Sequence, residues 1–292
     1  MNVDTGALVN ASNALTTSNV TDFNVKGGSL TAPSAGLTSA TNVNISGGLL
    51  DVISVDLTGT NLNVSGGVFE ADNLDLTQPG SISHTDGTIR VDGGTLTTAD
   101  GNLTVNDATG NPTVELTNGA STTVADVNIG TASNGTVNIL SGSTLDAATA
   151  TVGTTGNGTL TTSGAGSTST ISGNLHVGST GSVNVETGAT LDVGSVSMDS
   201  GAAVTMAGGT LSSAGAFFDL PDFATVEGHG TVATAFRGTQ DSTLVATGGT
   251  LAVGDDTSFL GFRTGGLIEV QSTGTLSIQD RDFAAVGVLT TL

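Results

Sequence analysis

The sequence lacks several residue types that most proteins use for chemistry or cross-linking. It contains no cysteine, tryptophan or tyrosine, and only 4 of its 292 residues are proline. Without cysteine, neither a disulfide framework nor a thiolate metal or redox site can form. Without tryptophan and tyrosine, the aromatic platforms that commonly hold sugar rings are missing. These absences exclude a thiol-based redox site and argue against a carbohydrate-processing enzyme.

Basic residues are also scarce. Five Lys and Arg face 26 Asp and Glu, which gives a formal net charge of -21. Such a charge repels phosphate backbones and anionic headgroups, so we expect no nucleic-acid partner and no binding to a membrane surface. The simplest interpretation of this acidity is that it keeps an exposed protein soluble, and we favour it over a specific cationic partner. Absence of cysteine is compatible with an extracellular bacterial protein.

Long apolar segments are missing too. No stretch approaches the roughly 18 apolar residues of a membrane-spanning helix, so we expect no membrane insertion. The first residues, MNVDTGALVN, lack the basic and apolar regions of a secretory signal. If the protein is secreted, we expect this chain to be a mature fragment or a mature sequence with an added Met.

Glycine and β-branched residues dominate what is present. The chain has 44 glycines and is 36% hydrophobic but only 11% charged. Apolar and polar residues alternate with period two, and no segment keeps a helical apolar pattern beyond two turns. Glycine or Asn-Gly interrupts nearly every stretch, as is typical of tight turns between strands. The sequence therefore predicts an all-β chain.

One short phrase recurs along the chain: a strand, a glycine-centred corner and a second strand. It reads VNISGGLLDV at 43–52, LNVSGGVFEA at 62–71, IRVDGGTLTT at 89–98 and VNVETGATLDV at 183–193. A repeat of this size is the signature of a solenoid, in which each unit buries its apolar face only by stacking on its neighbours. The corner glycines follow one another at steps of 20, 19, 27, 25 and 23 residues through Gly28, Gly48, Gly67, Gly94, Gly119 and Gly142.

The repeat predicts a single right-handed parallel β-helix with about three short strands and roughly 20–25 residues per coil. Alternate apolar residues such as Val137 and Ile139 point inward and stack on their counterparts in the next coil. Their neighbours, such as Asn138, point outward. Glycine occupies the corners because tight turns often need a positive φ or a close approach of two backbones.

Three sections of one continuous domain differ in the regularity of their repeats and in their phenylalanine content. Residues 1–126 have uneven spacing, which suggests loops of varied length between rungs, and residues 127–214 are the most regular. Residues 215–292 contain seven of the nine phenylalanines. We expect these bulky rings to widen the core, to cap an open end of the solenoid, or to form a docking surface for the next subunit. The candidates for assembly or capping are Phe217, Phe218, Phe259, Phe262 and Phe283.

The GGTL and GATLDV phrases and the LxVG strands resemble the repeats of autotransporter passenger domains and of secreted bacterial repeat proteins that carry a C-terminal sorting tail. The resemblance covers nearly the whole chain. It implies a β-solenoid fold and a place outside the cell or on its surface. Because that group includes adhesins, fibrous surface proteins and some enzymes, the resemblance implies a scaffold more strongly than an activity.

Catalytic and metal chemistry have little support in the sequence. Asp280 and Asp282 alternate on one strand and are the best pair for a polysaccharide-processing enzyme, which needs two carboxylates. Asp255 and Asp256, with Asp280 and Asp282, are candidate calcium ligands because hard cations take carboxylate oxygens. The three histidines lie far apart, and no nucleophile elbow, zinc motif or nucleotide-binding loop occurs. We expect no enzyme, no catalytic residue and no cofactor, with calcium as the one possible ion.

The sequence therefore favours a secreted structural protein, a subunit of an extracellular fibre or surface layer that assembles head to tail through its solenoid ends. The expected partner is the chain itself, as a homopolymer or homo-oligomer. Two alternatives remain open. One is an adhesin or passenger scaffold that binds a surface or a glycan through loops of residues 1–126, and the other is the polysaccharide-processing enzyme.

Overall fold

The computed structural model describes residues 1–16, 20–37, 40–77, 79–98, 100–215, 217–254, 262–278, 284–285 and 289–291. Within these residues the protein is all β, and parallel strands stack as a β-solenoid of about 12 turns with roughly 22 residues per turn. This confirms the predicted parallel β-helix. No helix in the described ranges is long and apolar enough to cross a membrane.

The strands follow the alternation read from the sequence. In chain order they are Asn2–Val3 (β1), Leu8–Asn10 (β2), Leu15–Thr16 (β3), Asp22–Ala32 (β4), Ala35–Gly36 (β5), Asn42–Asp56 (β6), Asn61–Leu76 (β7), Ser81–Asp92 (β8), Thr95–Thr98 (β9), Asn102–Val105 (β10), Thr113–Thr117 (β11), Ser121–Ile129 (β12), Gly135–Leu140 (β13), Thr144–Val152 (β14), Gly158–Ser163 (β15), Thr168–Val177 (β16), Gly181–Glu186 (β17), Thr190–Met198 (β18), Ala203–Ser213 (β19), Phe218–Leu220 (β20), Thr225–Ala233 (β21), Phe236–Gly238 (β22), Thr243–Val253 (β23), Phe262–Thr264 (β24), Leu267–Val270 (β25), Thr275–Ile278 (β26), Ala284–Ala285 (β27) and Leu289–Thr291 (β28). The longest of them, such as β6 and β7, run through the corners of a coil.

One sheet, here called the first sheet, continues through every turn. Its inward residues form an apolar column, which is partly exposed at Val9 and otherwise buried. The column stacks branched and aromatic side chains over one another, which is the burial that no single coil achieves alone. Its successive members are Val9, Leu30, Leu50, Phe69, Ile89, Val114, Val137, Leu160, Val183, Val204, Val226, Leu244 and Ile268.

Outward residues form polar rows on the same strands. In the sheet that precedes the first sheet in each coil, the Nδ2 of Asn24, Asn44 and Asn63 each donates to the Oδ1 of the asparagine one turn before it, at 2.8 Å. Each such bond contributes about 0.5–1.5 kcal/mol, and less where water competes. The predicted outward direction of the asparagines is thus part of what keeps the turns in register.

Glycine stacking in the corners corrects one part of the sequence interpretation. A Cβ on Gly48, whose φ is +77°, would collide with the Gly28 carbonyl oxygen, and a Cβ on Gly87 would lie 2.6 Å from that of Gly67. Gly94 instead packs against the Asp72 carbonyl, at the next corner of the coil. The series of corner glycines read from the sequence therefore combines two different corners of the coil. Its 27-residue step, from Gly67 to Gly94, does not measure one turn.

Candidate functional site

A sheet of the solenoid is interrupted in one place within the described residues. It is the sheet that precedes the first sheet in each coil, here called the third sheet, and it contains residues 81–84 in one turn and β10 (Asn102–Val105) in the next. β10 pairs with β12 on one side only, and no strand pairing joins it to residues 81–84. The wall of the solenoid therefore opens sideways between these two segments.

A change in corner geometry causes the interruption. In register along the first sheet, Arg90 lies 20 residues after Glu70 but 25 residues before Glu115. Before the break, the tight corner at Gly87 joins the third sheet to the first. After it, residues 106–112 make a longer turn, in which Asp107 forms an isolated antiparallel bridge with Asn134. Strands leaving corners of different length do not superpose.

The opening forms a cleft with a volume of about 540 Å³ and an apolar floor. Ile89 and Leu96 in the floor are each 4% exposed, whereas Ile82 at the mouth is 43% exposed. The apolar side chains that line the cleft include Leu76, Ile82, Ile89, Leu96, Leu103 and Val114. Core residues are therefore reachable from the side of the rod here.

Two polar atoms on residues lining the cleft are buried without a partner. They are the Oγ1 of Thr98 and the Oδ1 of Asn102. The backbone N–H of Asn102 donates to Oδ1 of Asp100 at 3.0 Å, and its Nδ2 donates to Oδ2 of the same carboxylate at 3.4 Å. That second contact orients the amide, which leaves its oxygen as a free acceptor. Unpaired buried acceptors are uncommon in folded proteins.

His84 also lines the cleft. Its Nε2 lies 3.1 Å from the carbonyl oxygen of Gly87, which accepts a hydrogen bond from the Nε2–H tautomer. Burial lowers the pKa of His84 below its ordinary value, although the bond to Gly87 and the negative charges of Asp86 and Asp107 act in the opposite direction. At neutral pH the cleft therefore contains a neutral imidazole.

A charged row lies on the outer face of the first sheet. Arg90 donates through Nε to Oε1 of Glu115 at 2.6 Å and through Nη1 to Oε2 of Glu70 at 2.9 Å. Burial acts to lower the pKa of Arg90, but the hydrogen bonds to both carboxylates outweigh it and raise that pKa. Because each partner belongs to an adjacent turn, this one side chain ties three turns together.

The candidate assembly residues take different positions. Phe218 is fully buried and continues the core, whereas Phe217 is partly buried under the Arg237 guanidinium, whose carbon lies 4.4 Å from the ring centroid. Phe262 begins β24, and its backbone pairs with Phe236. Phe259 and Phe283 lie outside the described residues. So do the four candidate calcium ligands, Asp255, Asp256, Asp280 and Asp282.

Several acidic residues in the described ranges are engaged in local hydrogen bonds or ion pairs. No group of three or more His, Asp or Glu side chains there is placed to hold a metal ion. Asp107 accepts from the hydroxyl and the N–H of Thr109 and from the N–H of Gly110, bonds that lower its pKa. Asp219 accepts two hydrogen bonds from Arg237, at 2.6 and 2.7 Å.

Sequence reasoning did not find the cleft. Thr98 and Asn102 carry no motif, and the three histidines, of which His84 is one, lie too far apart in the sequence to indicate a site. The long step of the glycine series near residue 94 was the one available signal, because it falls in the coils where the corner type changes.

Comparison with known proteins gave no match. No model of a protein family, no curated protein and no solved structure matches the chain.

Proposed function

We propose that the protein is a secreted, non-catalytic structural protein, a subunit of an extracellular fibre or surface layer that assembles head to tail with copies of itself. The observation that carries this proposal is the unpaired edge of the first turn. β1, β2 and β3 pair with the following turn, and in the described chain no strand lies on their other side. Such an edge is a template for another strand.

The hydrogen bonding of β2 supports this view. Ser29 N–H donates to the Ala7 carbonyl and Ala11 N–H donates to the Thr31 carbonyl, each at 2.8 to 2.9 Å. In a parallel pair, alternate residues direct both backbone groups to the same side. The backbone groups of Leu8 and Asn10 therefore point away from the solenoid. The Leu8 side chain is 79% exposed.

The polarity of the ladder favours a head-to-tail contact. At the other end β28, parallel to β25, pairs with it through Leu289–Thr291. A second copy added there by its β2 edge would keep every strand parallel and every turn in the same sense. An interface between two different surfaces of the same chain generates an open filament when its rotation does not close.

The proposal is tested by electron microscopy and analytical ultracentrifugation of the full chain over a range of concentrations. We expect filaments or oligomers of rising length. Asn10→Pro removes an outward N–H from the edge and leaves the internal pairing in place, so it should yield single rods with unchanged far-UV circular dichroism.

The control is Asn10→Ala, which keeps the N–H and should assemble like the unaltered chain. A chain that stays monomeric at every concentration contradicts the proposal. So does an Asn10→Pro variant that assembles as readily as Asn10→Ala.

A further inference from the structure

We propose that the lateral cleft between residues 81–84 and β10 is a binding site for an uncharged, largely apolar small molecule that carries a hydroxyl group. Phenols and aromatic alcohols are the class that fits best. This site is independent of assembly at the ends of the rod, because it opens on the side of the solenoid several turns away from the first turn.

The size and floor of the cleft suit such a ligand. Small-molecule sites generally measure about 300–1,000 Å³ and are mostly apolar, with a few placed polar groups. The cleft has a volume of about 540 Å³. A bicyclic aromatic ring would lie on Ile89 and Leu96 and cover the exposed face of Ile82 at the mouth.

The two unpartnered atoms select a hydroxyl group. Asn102 Oδ1 can only accept a hydrogen bond, whereas the hydroxyl of Thr98 can also donate one. Both atoms are closed to water in the unliganded cleft, so these bonds form when the two side chains turn toward the ligand, whose hydroxyl then donates to the first and accepts from the second. A pure hydrocarbon gains neither bond, so we expect it to bind more weakly.

The surrounding charge excludes anions. Asp100 lies at the cleft and its carboxylate accepts from Asn102, while Asp86 and Asp107 act electrostatically on His84. His84 is the basic group lining the cleft, and its lowered pKa keeps it neutral at neutral pH. An anionic ligand would therefore meet carboxylates with no compensating cation.

Three matched probes test the proposal with the full chain: 2-naphthol, naphthalene and 2-naphthoate. The chain has no tryptophan or tyrosine, so probe fluorescence is measured almost without protein background. We expect saturable binding of one 2-naphthol per chain, binding of naphthalene weaker by about tenfold, and weaker binding still of 2-naphthoate.

Substitutions of residues that line the cleft locate the site. Asn102→Leu should weaken 2-naphthol to the level of naphthalene without weakening naphthalene itself, and Thr98→Val provides the same test should Asn102→Leu fail to fold. Ile82→Phe should obstruct the mouth and weaken both probes. Ile53→Phe is its control, since Ile53 is similarly exposed, at 53%, and lies away from the cleft.

The proposal is overturned by absence of saturable 2-naphthol binding, by equal affinity for all three probes, or by tightest binding of 2-naphthoate. It is also overturned if Ile53→Phe and Ile82→Phe have the same effect on affinity.

Discussion

The ring of Phe218 stacks on the ring of Phe236 one turn further along, with centroids 5.7 Å apart and planes inclined by 9°. Their backbones are paired residue to residue, and both side chains are fully buried. Two aromatic rings of the C-terminal section therefore lie inside the solenoid core, where they fill the width that Leu175 and Val196 fill in earlier turns of the same sheet.

Truncating one of these rings should destabilise the C-terminal turns. For Phe236→Ala we expect a loss of about 3–5 kcal/mol in the free energy of unfolding, because the cavity removes buried area and a stacking partner at once. Urea denaturation followed by circular dichroism measures this loss. Phe223→Ala is the control, since Phe223 is 68% exposed and should change stability little.

The ion pairs of Arg90 with Glu70 and Glu115 should stabilise the three turns that they join. Arg90→Met leaves two carboxylates that are 17% and 19% exposed without their cation. We expect a loss of about 1–2 kcal/mol in the free energy of unfolding, reduced by solvent screening because the guanidinium is partly exposed. Adding Glu70→Gln and Glu115→Gln to Arg90→Met should recover part of the loss.

The matched comparison for this bridge is Arg237→Met. Arg237 and Asp219 are 51% and 52% exposed, so water screens their attraction and a smaller change is expected. Equal effects of the two arginine substitutions would contradict the structural role assigned to Arg90.

The loss of stability caused by replacing a corner glycine with alanine should depend on what lies over that glycine in the neighbouring turn. Gly48 and Gly59 both have positive φ, at +77° and +70°, but nothing lies within 4 Å of a Cβ added to Gly59. Gly59→Ala should cost about 1–2 kcal/mol from backbone strain alone. Gly48→Ala adds a collision with the backbone of Gly28, so it should lower the free energy of unfolding by about 1–3 kcal/mol more than Gly59→Ala does. Thermal and urea unfolding of the pair measure the difference.

Acid should destabilise the cleft region through His84. Burial lowers the pKa of His84 below its ordinary value of 6.5, so the folded state favours the neutral imidazole. As the pH falls, the unfolded chain therefore binds this proton before the folded chain does. The contribution of His84 to the free energy of unfolding is complete above pH 6.5 and is lost as the pH falls toward the pKa of His84 in the folded state.

Measuring the free energy of unfolding at about pH 5 and about pH 8 for the unaltered chain and for His84→Gln isolates this effect, because glutamine does not titrate. We expect the pH dependence to be smaller in the variant. An identical dependence in both proteins would show that the imidazole does not titrate differently on folding.

Particular residues illustrate how far sequence reasoning reached. The alternation in VNIL and VNVE placed Val137, Ile139, Val183 and Val185 inside, and all four are fully buried. Phe217 and Phe218 could not be separated as core and surface from composition, since adjacent strand residues face opposite sides and only the register decides which faces inward. The cleft was missed because it depends on a change in corner length, which moves strands without altering their own pattern.

The amino-acid sequence by itself determined that this protein is a stack of parallel β coils, because a period of two within a repeat of this length buries its apolar residues only by stacking. Tertiary structure alone decided which glycine lies over which, which carboxylates Arg90 joins, and where the wall opens. Those relationships join residues some 20 or more positions apart, and they depend on the accumulated lengths of the corners between them.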